Sequence, residues 1–219
     1  MIKQWSHSRF KTYQECPYKA KLKFIDRLQE PSNPAMERGI DIHKKAEDFL
    51  TTPKMELPPE LLKMEKEMKA LKKEKTLEVE LELAFNLDWE RVDWFASDVW
   101  WRAKVDALYF NSATGNIVVI DHKTGKVNDY ESQASLYALA AFLATPGSGM
   151  PPRVTAEFWF LDHGQKDKHQ YKRKDVAEMK AYWASQTRAM LNDTRFAPRP
   201  GNYCRWCHFR KSNGGPCAY

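Results

Sequence analysis

The chain has 219 residues, 42% hydrophobic and 29% charged, and its 35 Lys and Arg against 29 Asp and Glu leave a formal net charge of +6 and a sequence pI of about 9.0. No stretch approaches the roughly 20 apolar residues that span a bilayer, and the opening Met1-Ile2-Lys3-Gln4-Trp5 lacks the apolar run of a secretory leader, so a cytoplasmic protein is expected. One core with appended helices fits this length, and the basic excess suits a polyanionic partner.

In chain order, residues 8–28 read as a helix with Ser8 as its N-cap. Pro31 and Pro34 bound a loop, and a second helix over 35–51 carries Gly39 and His43 one turn apart on one face. Thr52-Pro53 and Pro58-Pro59 interrupt it. Residues 60–75 then read as a charged helix, with Leu61, Leu62, Met64, Met68 and Leu71 as a packing stripe and lysines facing solvent. Over 77–87 apolar residues alternate with acidic ones, the pattern of a half-buried strand with its glutamates on the far face. Glu80 alone among these is kept as a residue that could border a site.

Residues 100–110 read as a strand in which Trp101, Ala103, Val105 and Ala107 alternate with Arg102, Lys104, Asp106 and Leu108. A turn-forming segment over 111–116 joins it to Ile117-Val118-Val119-Ile120 as an antiparallel hairpin. That second run leads straight into Asp121-His122-Lys123-Thr124-Gly125. Packing gives a buried strand no reason to carry a carboxylate and an ammonium, so Asp121 and Lys123 are expected together in a cleft, on one face because they are two residues apart. A helix follows from Asp129 to about Ala144, capped near Asn128 or Asp129, with Gln133 and Tyr137 one turn apart. Residues 153–161 form another strand and 174–192 a last long helix. This order predicts an α/β fold, a mixed sheet with helices on its faces.

Two strand-borne aspartates, Asp106 and Asp121, can share a hard divalent cation such as Mg²⁺, which prefers oxygen ligands, with Lys123 beside the attacking water or the scissile phosphate. The four cysteines fall in the termini as Cys16, Cys204, Cys207 and Cys217. Disulfides are disfavoured in the cytosol and such sets more often bind metal. Four thiolates suit a [4Fe–4S] cluster or a structural zinc, and His208 is a possible substitute zinc ligand.

The Asp106 … Asp121-His122-Lys123 arrangement resembles the active site of the PD-(D/E)XK nuclease superfamily. Gly39-Ile40-Asp41-Ile42-His43 is similar to the G-x-x-x-H motif of its RecB-type branch, and Gln133-Ala134-Ser135-Leu136-Tyr137 to that branch's Q-x-x-x-Y motif. Ser6-His7-Ser8-Arg9-Phe10 … Cys16-Pro17-Tyr18 and Cys204-Arg205-Trp206-Cys207 … Cys217 resemble the terminal elements of its iron–sulfur members, which include CRISPR-associated adaptation nucleases and the nuclease domains of repair complexes. Three positions depart from the pattern: Ala103 stands where the family has glycine, His122 where it often has tyrosine, and nine residues separate Cys207 from Cys217.

The resemblance implies a restriction-endonuclease-like core over 76–195, a helical N-terminal cap over 1–75 and a C-terminal cluster tail over 196–219 tied to Cys16, all one nuclease domain. It implies Mg²⁺ or Mn²⁺ held by His43, Asp106, Asp121 and the backbone carbonyl of His122, with Lys123 catalytic and Gln133 and Tyr137 positioning. For the cysteines it favours the [4Fe–4S] cluster over zinc. The expected activity is a metal-dependent DNA exonuclease of replication, recombination or repair, acting on single strands or duplex ends, as a homo-oligomer or beside a helicase or recombinase. A structure-specific endonuclease, an inactive nucleic-acid-binding module and a metal-dependent hydrolase of another substrate are the competing readings.

Overall fold

A computed structural model describes residues 1–145 and 149–219. The helix expected over 8–28 is two helices, α1 (His7–Glu15) and α2 (Pro17–Phe24). The residue before a proline is excluded from the helical region, so Cys16 is extended, at φ −160° and ψ 115°, and both ends α1 and starts α2. The N-cap is Ser6 rather than Ser8, its side chain accepting from Arg9 N at 3.4 Å. Helix α3 (Pro34–Thr51) starts one residue before the expected 35, with Asn33 accepting from Met36 N at 3.0 Å and Pro34 in the first turn rather than in the loop. Residues 60–75 are not one helix but a 3₁₀ segment (Pro59–Met64) followed by α4 (Glu65–Leu71). Beyond Leu71 the run Lys72-Lys73-Glu74-Lys75 offers nothing apolar to bury.

The sheet comprises β1 (Glu78–Phe85), β2 (Arg91–Val92), β3 (Trp101–Asn111), β4 (Asn116–Lys123), β5 (Arg153–Phe160) and β6 (Gln165–Lys172), in the order β2-β1-β3-β4-β5-β6. Among the six described strands only the β4–β5 pair is parallel, and α5 (Glu131–Ala144) lies in their connection. Helix α6 (Val176–Asn192) completes the fold, an α/β arrangement with a mixed sheet as expected. The sequence reading did not find β2 and β6, which are the two edges. Short or highly charged strands suit edges because they discourage pairing with other chains, and Gln165-Lys166-Asp167-Lys168-His169-Gln170-Tyr171-Lys172 has too few apolar residues to announce itself.

Each face of the sheet carries its own core. On one, Trp101, Ala103, Val105, Val119, Phe158 and Phe160 meet the buried face of α5 and Trp183 of α6. On the other, Ala107, Val118, Ile120 and Trp159 meet Ile42 and Phe49 of α3 and Met68 of α4. Strand alternation should keep 101, 103, 105 and 107 on one face, yet Ala107 sits opposite the first three. Strand β1 changes face at the same level: Leu83 and Phe85 join the first core, whereas Val79 packs on the second. The switch is local to Glu80, whose φ of +54° is left-handed, and β1 pairs with β3 at Val79↔Ala107 and Leu81↔Val105 on either side of it. Neither single alternating face expected for 77–87 and 100–110 survives, and the break falls at Asp106. Among the described residues no helix is long and apolar enough to cross a membrane.

Candidate active site

The hairpin ladder between β3 and β4 ends at Ala107↔Ile120. Beyond it β3 stays paired with β1 and β4 with β5, so the middle of the sheet parts at Asp106 and Asp121. The freed main-chain N–H of His122 donates to Asp106 Oδ2 at 2.6 Å. From the α3 side His43 Nδ1 comes within 3.3 Å of the same oxygen. Gly39 packs closely on the turn after β4: an added Cβ would lie 3.3 Å from Thr124 Oγ1.

Asp121 faces α5 instead. Tyr137 donates its hydroxyl proton to Asp121 Oδ1 at 2.7 Å, and Gln133 Nε2 donates to Asp121 Oδ1 at 3.2 Å and to the Tyr137 hydroxyl oxygen at 2.7 Å. Gln133 Oε1 in turn accepts from Lys123 Nζ at 3.2 Å. The ammonium also pairs with Asp121 Oδ2 at 2.6 Å, and no other donor reaches that buried oxygen. Over Lys123 stands the Tyr130 ring, its centroid 4.6 Å away. Gln133, Tyr137 and Lys123 thus form a closed network on one carboxylate.

Burial is the largest influence on both aspartates, and their surroundings then separate them. Asp121 titrates above the ordinary carboxylate range because it is buried beside Asp106, with Lys123 pulling only partly the other way. Burial would raise Asp106 too, but His43, His122 and the His122 amide hold it low. His43 is shifted upward: burial opposes its charge and the contact with Asp106 outweighs it. His122 is lowered to about 4 by burial, so it is neutral at pH 7.

Of the expected site residues, the structure gathers His43, Asp106, Asp121, His122, Lys123, Gln133 and Tyr137. Oxygen from two aspartates with one imidazole is a donor set suited to a hard divalent cation. Among the described residues no group of three or more His, Cys, Asp or Glu side chains already stands in ligand geometry. The residue that sequence reasoning left open, Glu80, lines the same cavity wall as Gly39, His43 and Asp106, its carboxylate 2.7 Å from Lys104 Nζ.

One clip was missed. Asp162 accepts from Arg38 Nη1 and Nη2 at 3.0 and 2.6 Å and from Gly125 N at 2.7 Å, joining the start of α3 to the turn after Lys123. Its only sequence signal was a polar pair, Asp162-His163, at the end of an apolar strand.

Cys16, Cys204, Cys207 and Cys217 line one small cavity of about 30 Å³. Arg199 N donates to Cys16 Sγ and Gly201 N to Cys204 Sγ, each at 3.4 Å. The long spacing before Cys217 is taken up by a turn through Gly214, at φ +78°. It returns Cys217 N to Phe209 O at 2.8 Å and Cys217 O to Lys211 N at 2.7 Å. Burial raises the Cys207 thiol, with Cys217 and Cys16 adding to it. His208 is exposed, outside this cavity.

Among solved structures, a candidate exonuclease from Eubacterium rectale is similar at 13% identity, with a TM-score of 0.49 over 94% of this chain and 88% of that one. The protein SSO0001 is similar at 15% identity, with a TM-score of 0.47 over 100% and 89%. Among curated protein sequences none matches. The sequence model of the PD-(D/E)XK nuclease superfamily matches residues 4–212, from the first turn before α1 into the cysteine tail. The chain therefore belongs to the PD-(D/E)XK nuclease superfamily.

Proposed function

We propose that the protein is a divalent-metal-dependent DNA exonuclease of the RecB-type branch, with residues 1–219 forming one nuclease domain. The observation that carries this reading is the pair of aspartates at the parting of β3 and β4, one held by His43 and the His122 amide and the other by Lys123, Gln133 and Tyr137. Asp106, Asp121, His43 and the His122 carbonyl would hold Mg²⁺ or Mn²⁺. When bound, such an ion neutralises charge on the phosphate and makes water a stronger nucleophile.

The residues of the chain do the rest. Lys123 orients or deprotonates the attacking water and stabilises the negative charge that develops on the phosphate. Gln133 fixes the Lys123 ammonium through its carbonyl oxygen and Asp121 through its amide, so the lysine and the carboxylate move together. Tyr137 keeps one oxygen of Asp121 pointed at its hydroxyl and leaves the other to the Lys123 ammonium and the cation. A single strand or a frayed duplex end is the favoured substrate, in keeping with the RecB-type resemblance on which this reading rests. Gathered cysteines and N–H donors to their sulfurs support a structural [4Fe–4S] cluster, with tetrahedral zinc as the alternative. A helicase or recombinase partner and a cytoplasmic location accompany this reading.

The test is degradation of labelled DNA by the full chain with Mg²⁺ or Mn²⁺. Linear single strands should disappear from their ends while a covalently closed circle survives. Equal rates on both would make the protein an endonuclease, and no cleavage of either would make it a binding module. His43→Ala should lose most activity and recover part of it at high Mn²⁺.

A further inference from the structure

A cavity of about 540 Å³, lined in part by Lys123, opens between the start of α1 and strand β3, and Gln133 and Tyr137 belong to its wall. Its charged lining consists of Arg9, Arg102, Lys104 and Lys123, with His7 beside them, and no carboxylate lines it among the described residues. Burial, and after it the charge of Arg102, works against the charge on Arg9. Lys123 and Lys11 contribute, after burial, to lowering His7 to about 4. The region is thus positive without an internal counter-ion, a costly arrangement in a folded chain. Lys104 and Lys123 have acidic partners, Glu80 and Asp121, neither of which lines the cavity, and Arg9 and Arg102 have none among the described residues.

The wall has further vacancies. Trp5 Nε1, Trp101 Nε1 and Arg102 Nε are buried donors with no hydrogen-bond partner, although Trp5 and Trp101 are about 1% and 0% exposed and such donors are normally satisfied. Arg102 is fixed by donating to Trp94 O at 2.6 Å, and its guanidinium lies 4.9 Å from the Trp94 ring centroid. Next in sequence, Phe95 is 88% exposed. Aromatic faces beside a basic groove are what a single strand uses, bases stacking while phosphates pair with cations.

We propose that this cavity is a second phosphate subsite, seating a phosphate of the strand whose neighbouring phosphodiester lies at Asp106, Asp121 and Lys123, with Arg9, Arg102 and Lys104 as its cations. The inference rests on the nuclease reading above. A terminal phosphate and an internal one share this chemistry, and the ends of the probe tell them apart.

The test compares a thymidine oligonucleotide of about ten residues, bearing a 5′-hydroxyl, a 5′-phosphate or a 3′-phosphate, with the p-nitrophenyl ester of thymidine 5′-phosphate, which has a single phosphodiester. Arg9→Gln and Lys104→Gln should each raise KM for the oligonucleotide roughly tenfold, the scale of a lost charged hydrogen bond, and leave turnover of the single ester unchanged. Lys104→Arg should restore KM, and because the Lys104 side chain is about half exposed its loss does not threaten folding. In EDTA, fluorescence anisotropy should show the salt slope of oligonucleotide binding falling by about 0.7 per lost phosphate contact. A 5′- or 3′-phosphate that lowers KM in the wild type but not in the variants assigns the cavity to that end. A KM rise equal for all three ends assigns it to an internal phosphate. Wild-type KM and salt slope in both variants would overturn the subsite while the nuclease reading stands, and a wild-type chain that cuts neither the oligonucleotide nor the ester would overturn both.

Discussion

The Asp106 carboxylate accepts the main-chain N–H of His122 at 2.6 Å, in the place where β3 and β4 stop pairing. One side chain thus closes a gap in the sheet and presents a charge to the cleft, and substitutions can separate the two tasks. Asp106→Asn keeps an oxygen for the amide and loses the charge. Asp106→Ala loses both and leaves a buried N–H unpaired, a cost of about 1–3 kcal/mol. Both variants should lower DNA cleavage by roughly a thousandfold or more, the scale of several kcal/mol of lost charge stabilisation. Only Asp106→Ala should melt clearly lower. A cleavage-competent Asp106→Asn would remove Asp106 from the site.

Glu80 predicts a different split. A left-handed residue inside a strand costs about 1 kcal/mol unless it is glycine. Here φ is +54°, opposite Asp106, where both strands change face. Glu80→Gly relieves that strain and gives up the exposed pair with Lys104, itself worth about 0.2–1 kcal/mol, so its melting temperature should stay near that of the wild type. Glu80→Val cannot take the conformation and should lower both stability and cleavage. If Glu80→Val melts and cuts like the wild type, the kink does not set Asp106.

These two residues mark where the sequence was readable. Asp121 and Lys123 stood out because an apolar strand has no packing use for them, and their shared face follows from strand periodicity, as the 2.6 Å contact bears out. Gln133 and Tyr137 followed from helical spacing. The kink at Glu80 was invisible, because Leu77 to Leu87 alternate without interruption and the break is a backbone angle with no residue signature. Edge strand β6 and the Cys16 helix break were missed for opposite reasons. The first has few apolar residues, and the second was overruled by the apolar periodicity on either side of Pro17. The Arg38–Asp162 clip joins positions 124 residues apart in sequence, and nothing local announces it.

That clip carries a pH dependence. The bidentate Arg38 contact and the Gly125 N–H hold the Asp162 carboxyl down at about 2, against its ordinary 3.8. A depressed carboxylate contributes stability above its unfolded value and loses it as pH falls through the folded one, so the contribution is full above about pH 4 and gone near pH 2. Asp162→Asn should therefore be less stable than the wild type at pH 5 by about 0.5–1 kcal/mol, the scale of a partly exposed, bidentate pair. The two melting temperatures should converge towards pH 2. Cleavage at pH 7 should drop severalfold, because the clip holds α3, and so His43, to the end of β4. A constant gap in melting temperature from pH 5 to 2 would mean that the pair with Arg38 is not what Asp162 supplies.

The cysteine tail gives the last prediction. Four thiols from the two ends of the chain share one cavity, and the return of Cys217 to Phe209 fixes the fourth. Such a set has no disulfide among the described residues, and four thiolates satisfy the protein ligands of a [4Fe–4S] cluster. Anaerobically purified protein should be brown and hold about four irons per chain. Cys16→Ser should cost iron and melting temperature together, since the metal would tie the tail to the junction of α1 and α2 and its binding energy is folding energy. Gly215→Ala tests the geometry without touching a ligand: its Cβ would come within 2.3 Å of the Phe209 main chain, so the turn must shift and metal content should fall with all four cysteines present. A colourless anaerobic preparation with roughly one zinc per chain would reject the cluster in favour of a tetrahedral zinc. Unchanged stability and metal content in Cys16→Ser would reject both, because the junction at Pro17 would then be held by packing and by the Arg199 contacts alone.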